Sequence, residues 1–163
     1  MRKFSKFNAF LGIVVAVGLI STGIPKTAHA DMNDVKERRA LMKSTGKNFM
    51  AVFGFVKGKG GSPDSVAGNA RILAANAAKM STLFQAGTGR DKLGSKATRA
   101  KPEIWRNRAK FDEIAANMEK LAHALEAAAR TGDKEKIGVA AGAIGGQSCK
   151  ACHKSFRGPK HKG

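Results

Sequence analysis

The sequence predicts an all-α protein, an antiparallel up-down-up-down bundle of four helices. Apolar residues recur every three or four positions in four separate stretches, as they do on one face of an α-helix. The period-two alternation typical of strands is missing, and tyrosine is absent from the 163 residues. Links that contain glycine or proline separate the four stretches, and all but one of these links are short.

The first thirty residues are predicted to be a cleaved secretory signal peptide. Three basic residues precede the apolar run 9–20, and an A-x-A cleavage pattern ends at Ala30. The run has 12 residues, whereas a membrane-spanning helix needs ~20, so a membrane anchor is disfavoured. Cleavage after Ala30 leaves residues 31–163 as one domain, which is long enough for a single core.

The first two helices are predicted over about 33–57 and from 62–64 to about 86. Four residues, Gly-Lys-Gly-Gly at 58–61, end the first helix, and Ser62 or Asp64 caps the second. Side chains at helical spacing define the inward stripe of the first helix: Val35, Arg38, Met42, Phe49, Phe53 and Val56.

The polar link 87–101 is predicted to be the longest loop, and its length suits it to fold over the edge of a cofactor. The third helix follows over about 102–130, with Glu103 in its first turn, where an acidic residue is favourable. Asp133 caps the fourth helix, which is predicted to run without a break to about Arg157.

The fourth helix carries Cys149-Lys150-Ala151-Cys152-His153, a C-x-x-C-H motif. This spacing is typical of c-type haem attachment. Each thiol forms a thioether with one vinyl group of the porphyrin, and the imidazole lies under the iron. Because the two cysteines and His153 lie at i, i+3 and i+4, a helix presents all three on one face. The sequence therefore predicts one covalently bound haem c with His153 as an axial ligand.

Three alternatives explain the motif less well. A thioredoxin-like pair would lie beside a strand-helix unit, and no strand pattern is found. A zinc site would need a fourth ligand, and the sequence has no second C-x-x-C and no H-x-x-x-H. A structural disulfide stays open, because an exported chain meets an oxidising compartment.

Three glycines, Gly138, Gly142 and Gly145, lie on or beside the face that carries the motif. Glycine costs ~0.8–1 kcal/mol relative to alanine inside a helix. Its missing side chain, however, lets another helix or the haem plane approach closely. Close approach is the favoured interpretation, and a broken or frayed helix remains the alternative.

These features together resemble the class II cytochromes c, the family of cytochrome c prime and its low-spin, methionine-ligated relatives. Three segments, 38–43, 101–105 and 149–157, carry the resemblance, and they span nearly the whole of the exported chain. The attachment motif also lies near the C-terminus, as it does in that family. The resemblance implies a four-helix bundle with the haem near one end.

The resemblance also implies roles for four charged residues. Arg38 and Arg39 match positions near the haem edge, where guanidinium groups can pair with propionates. Glu103 matches a position close to the haem, and Arg157 matches the basic residue beside the proximal histidine. For the two arginines of the first helix, a solvated basic face is the alternative.

The residue on the other side of the iron decides the function, and Met42 is the candidate. If its sulfur binds iron, the protein is a low-spin electron carrier with His/Met ligation. If Met42 only crowds the pocket, the iron is five-coordinate and binds small gases such as nitric oxide. The setting of Met42 and the segment 46–50 favour the ligated form, so a one-electron carrier is the leading prediction and the gas binder is the alternative.

The charge and the predicted export narrow the partners. The whole chain carries +18, and the exported part +14, because four of the 30 basic residues and none of the 12 acidic ones lie in 1–30. The electrostatic field of such a positive charge favours binding to an acidic redox partner protein or to an anionic lipid surface. Haem attachment after export points to the periplasm and away from nucleic acid. The sequence lacks the distal acid-base pair that a haem enzyme such as a peroxidase would need, so an enzyme is not expected. The resemblance to the family leaves a homodimer possible.

Overall fold

The structure is a computed structural model that describes residues 32–161. The predicted signal peptide lies outside these residues. The described part contains seven α-helices: α1 Met32–Val56, α2 Pro63–Met80, α3 Arg90–Ala97, α4 Glu103–Arg106, α5 Arg108–Arg130, α6 Lys134–Ala143 and α7 Ala151–Phe156. A 3-10 turn, Ser81–Leu83, follows α2, and a π-helical segment, Ile144–Lys150, joins α6 to α7.

Four long rods build the bundle: α1, α2, α5 and the continuous rod formed by α6, the π-helical segment and α7. The second rod packs on α1 and most extensively on α5, and α6 packs on both α5 and α1, which closes the bundle. The predicted fold class is confirmed. The core between the rods is apolar, and its fully buried side chains include Val52, Val66, Leu73, Phe111, Leu125, Ile137 and Ile144.

Local signals set most helix ends where the sequence predicts them. Ser62 caps α2 through a capping box with Ser65, in which each side chain bonds the other residue's backbone N–H. Asp133 Oδ1 accepts bonds from the backbone N–H groups of Glu135 and Lys136, at 3.0 and 3.1 Å. Gly132, at φ 72°, supplies the left-handed turn between α5 and α6.

The second helix is shorter than predicted, because side chains from elsewhere capture the carbonyls that follow it. Arg108 donates to the carbonyl oxygens of Ser81 at 2.7 Å and Phe84 at 3.0 Å. The indole Nε1 of Trp105 donates to the same Phe84 oxygen at 3.1 Å. These carbonyls turn toward α4 and α5, so the α-helix ends at Met80 rather than near residue 86.

The third helix is also not continuous. Asn107 has φ −126° and ψ 54°, which separates the short α4 from α5. The break turns α4 so that the Trp105 indole reaches the Phe84 carbonyl across the bundle.

The predicted long loop is an ordered strap, a name used here for residues 88–101. It contains α3, whose helical course is interrupted at Gly94, where φ is +81°. Its last residues pair with the chain that follows α7, through an antiparallel bridge between Ala100 and Arg157. The absence of an apolar period in this polar stretch hid the short helix from the sequence.

The rod that carries the haem motif does not fray, although it departs from α-helical geometry at Ile144–Lys150. A Cβ at Gly145 would lie 3.3 Å from Phe49 Cζ, and a Cβ at Gly138 would lie 3.7 Å from Val56 Cγ1. The predicted close approach of another helix is thereby confirmed at Gly145. At Gly138 a Cβ would make only ordinary van der Waals contact, and at Gly142 it would meet no atom within 4 Å, so the prediction is wrong for Gly142. The wider π-helical turn coincides with the Gly145-Gly146 pair, and such turns are frequent at functional sites.

No helix among residues 32–161 combines the length and the hydropathy needed to cross a bilayer.

Candidate haem site

A cavity of about 760 Å³ opens at one end of the bundle. Its volume falls within the ~300–1,000 Å³ typical of ligand and cofactor sites. Its walls come from α1, the strap, α5 and the rod that carries the motif. The apolar part of the lining consists mainly of aromatic and methionine side chains: Met42, Phe49, Met80, Phe84, Phe111, Met118 and Phe156.

The three residues of the haem motif all line this cavity. Cys149 and Cys152 are free thiols. Burial raises the pKa of the Cys149 thiol, and burial together with the neighbouring Cys149 raises the pKa of Cys152 to about 11. Both side chains are therefore neutral thiols at neutral pH.

The pKa of His153 is shifted in the opposite sense. Partial desolvation lowers it, and the positive charges of Arg157 and Arg99 lower it further. A neutral imidazole is the form that binds a metal. The surroundings of His153 thus favour its ligand state at neutral pH.

Met42 lies on the α1 side of the same cavity. Gly138 faces Val56 and Gly145 faces Phe49, so the two pairs are seven residues apart on both rods, which run in opposite directions. One further step of seven brings Met42 of α1 close to the level of Cys152. The prediction that Met42 faces the haem motif therefore agrees with this register and with its place in the lining.

The inward face of α1 differs in part from the predicted stripe. Phe53 is 42% exposed, whereas Thr45 is buried and lines the cavity. The hydroxyl of Thr45 accepts a bond of 3.2 Å from Asn76 Nδ2 of α2. Sequence reasoning missed Thr45, although its position three residues after Met42 places both on one helix face.

The mouth of the cavity is basic. The predicted Arg39 and Arg157 line it, and so do Lys96, Arg99 and Lys160, which sequence reasoning did not single out. No aspartate or glutamate is among the lining residues. Burial and the charges of Arg157 and Arg90 lower the pKa of Arg99, which reflects the repulsion between these cations. Such a rim suits the carboxylates at the edge of a haem.

Arg38 is neither at the rim nor on a solvated face. Its exposed fraction is 3%, although it also contributes to the cavity wall. The guanidinium donates to Thr88 Oγ1, to the Thr88 carbonyl oxygen and to Thr98 Oγ1, and its Cζ lies 4.9 Å from the centre of the Phe84 ring. The alternative of a solvated basic face is wrong for Arg38.

Glu103, the remaining predicted site residue, does not belong to the cavity lining. Its Oε2 is shielded from solvent without a hydrogen bond and lies 3.9 Å from Lys101 Nζ. Its predicted place close to the haem stays a prediction, as do the propionate contacts of Arg39 and Arg38.

The residues around the cavity fit a haem c. Two thiols and one imidazole lie on one wall, the walls are apolar, and the mouth is basic. The buried hydroxyl of Ser148, next to Cys149, points to the same conclusion, because Ser148 belongs to the cavity lining and its Oγ lacks a hydrogen-bond partner. Residues 32–161 contain no group of three or more histidine, cysteine or acidic side chains that could hold another metal ion.

Comparison with known proteins agrees with this geometry. The family model described as Cytochrome C' matches residues 33–157. The chain belongs to the cytochrome c' family. Cytochrome c' of Rhodospirillum rubrum is 32% identical over 146 residues, which cover 89% of this chain and 95% of the relative.

Solved structures of cytochromes c' show the same architecture. The crystal structure of cytochrome c' from Thermochromatium tepidum superimposes with a TM-score of 0.70 at 30% identity and covers 78% of this chain and 96% of that one. A nitric oxide complex of a variant from Alcaligenes xylosoxidans gives a TM-score of 0.67 at 28% identity and covers 78% and 95% of the two chains. One covalent c-type haem, as predicted, is a property of the family.

The leading prediction about function is wrong. Cytochromes c' are five-coordinate, gas-binding haem proteins, whereas the sequence was interpreted as that of a low-spin electron carrier with Met42 as the sixth ligand. The error has a physical cause. A methionine at this position of the first helix can ligate the iron or merely crowd the pocket, and its neighbours in the sequence do not distinguish the two.

Other predictions are settled only in part. Cytochromes c' are bacterial periplasmic proteins of a haem-binding, electron-carrier or gas-binding family, and their structures include dimers. The signal peptide, the acidic partner and a homodimer of this chain stay predictions.

Proposed function

We propose that this member of the cytochrome c' family binds nitric oxide or another small uncharged gas at a five-coordinate haem. The observation that carries the proposal is family membership combined with the apolar side chains of Met42 and Phe49 on the α1 side of the cavity. Relatives that belong to this family bind gases, and one solved relative is a nitric oxide complex. The haem iron supplies the position at which the gas binds.

The chain's own residues prepare that position. His153, as a neutral imidazole, holds the iron from one side. On the α1 side, Met42 and Phe49 offer no hydrogen-bond donor to a bound molecule, and the hydroxyl of Thr45 between them already accepts a bond from Asn76 Nδ2. An apolar pocket of this kind favours a small uncharged ligand over a hydrated anion, because an anion buried there would lose its hydration without compensation.

Met42 controls access to the iron in this proposal. Replacing Met42 with alanine is expected to speed nitric oxide association with the ferrous protein about tenfold, which corresponds to a barrier lower by ~1.4 kcal/mol. Stopped-flow absorbance after mixing with nitric oxide measures the rate.

Met32→Ala is the matched control for this experiment. Met32 lies on the same helix, is 53% exposed and does not belong to the cavity lining. It is expected to leave the rate unchanged. Equal rates for the wild-type protein and both variants would refute a controlling role of Met42, and a ferrous wild-type protein that binds no nitric oxide would refute the function.

We place this activity in the periplasm, since the family consists of bacterial periplasmic proteins and the chain begins with a signal-like segment. Intact-mass measurement of the exported protein is expected to give a chain that begins at Asp31. A haem-loaded protein that retains residues 1–30 would contradict cleavage after Ala30.

A further inference from the structure

The strap is fastened to α1 by the side chain of Arg38. Nη1 donates to Thr88 Oγ1 at 2.7 Å, and Nη2 donates to the Thr88 carbonyl oxygen and to Thr98 Oγ1, both at 2.6 Å. The guanidinium thereby bonds residues on both sides of α3, one before its start and one after its end. Thr88 and Thr98 are themselves 0% and 6% exposed, so all the groups of this junction are shielded from water.

No carboxylate bonds the buried guanidinium of Arg38 in the described part of the chain. Asp34, one turn earlier on α1, acts on it only through longer-range attraction, and burial lowers the pKa of Arg38 to about 10. A buried cation is costly unless its hydrogen-bond donors are satisfied. The Thr88 and Thr98 oxygens of the strap accept the hydrogen bonds of the guanidinium, and the Phe84 ring lies against it.

The other end of the strap is fastened to the chain that follows the haem motif. Arg99 Nε donates to the Gly158 carbonyl oxygen, and the Gly158 N–H donates to the Arg99 carbonyl oxygen, each at 2.7 Å. Lys101 donates its backbone N–H to the Phe156 carbonyl at 3.0 Å. Ser95 Oγ and His161 Nδ1 share a bond of 3.1 Å. The strap therefore links the helix that carries Met42 to the segment that follows His153.

We propose that Arg38 is a positioning residue, which holds the strap against α1 and so fixes the distance between the two sides of the haem cavity. Met42 lies one helical turn after Arg38 on the same side of α1. Residues 95–100 of the strap form the wall beside it. The planar fork of the guanidinium, rather than its charge, does the holding, because three bonds to fixed oxygens need its geometry.

Amide hydrogen exchange of the haem-loaded protein tests this role directly. Arg38→Met and Arg38→Lys are each expected to speed exchange in residues 88–101 about tenfold, with exchange in 112–125 of α5 unchanged. Lys36→Met removes one charge from an exposed position of α1 outside the cavity lining and is expected to change neither region.

A second pair of variants tests the acceptor side, even if an Arg38 variant does not fold. Thr98→Val is expected to speed exchange in 88–101 as Arg38→Met does, and Thr98→Ser, which keeps the hydroxyl, is expected to restore slow exchange. The inference is overturned if Arg38→Lys behaves as the wild type, if serine and valine at 98 behave alike, or if exchange rises equally in α5.

Nitric oxide association with the same variants gives a second readout. It is expected to be altered in Arg38→Met, Arg38→Lys and Thr98→Val and unaltered in Thr98→Ser. This readout alone depends on the proposed gas-binding function. A wild-type protein that binds no nitric oxide overturns that function, whereas the exchange data still decide the role of Arg38.

Discussion

Replacing Cys149 and Cys152 together with alanine is expected to abolish covalent haem attachment completely. These are the only cysteines of the chain, and both line the cavity beside His153. No other thiol can form a thioether with a vinyl group, so any haem that remains would be held by the imidazole and by apolar contacts alone. Denaturing mass spectrometry is expected to show the bare polypeptide mass.

The single variant Cys149→Ala is the control for this result. It keeps the Cys152 thiol, whose place in the cavity allows one thioether, and is expected to retain covalently attached haem. A double variant that still carries haem after denaturation would show that C-x-x-C-H is not the attachment site.

Replacing Phe111 with alanine is expected to have the largest effect on stability. Its ring is 1% exposed and packs against Phe84, with centroids 4.7 Å apart, and edge-on against Phe156 at 5.5 Å. Removing a buried phenylalanine costs about 3–5 kcal/mol, which is a large part of the ~5–15 kcal/mol that stabilises a domain. Chemical denaturation followed by circular dichroism measures the loss.

Phe53→Ala is the matched comparison for Phe111→Ala. Phe53 is also an aromatic residue on a long helix, but it is 42% exposed and stacks only loosely, with its centroid 6.5 Å from that of Phe49. It is expected to cost less than half as much. Equal losses in the two variants would contradict the placement of Phe111 at the centre of the core.

The fold was predictable where its causes are local. The helical period identified all four rods, and the caps at Ser62 and Asp133 act within three residues of themselves. The C-terminal end of α2 was not predictable, since the side chains that bond the carbonyls of Ser81 and Phe84 come from more than twenty residues further along the chain. The break at Asn107, which lets Trp105 reach the Phe84 carbonyl, was not predicted either.

The candidate site likewise contains residues that are neighbours in the sequence, which were predictable, and residues that only the fold brings together, which were not. Cys149, Cys152 and His153 are near neighbours on one rod, so their spacing alone predicted that they would lie together. The partners of Arg38 lie 50 and 60 residues away in a polar strap without periodicity, and nothing in the sequence connects them. For Met42 the sequence predicted a place in the lining of the cavity, which the structure shows, but not the chemistry, because crowding and ligation require the same residue at the same position.

The absorption spectrum of the ferric protein at neutral pH tests the central claim most directly. If, as proposed, His153 holds the iron on one side and no protein ligand holds it on the other, the spectrum is expected to be high-spin, without the near-infrared charge-transfer band of methionine-iron ligation. A low-spin spectrum with that band, lost in Met42→Ala, would contradict the account.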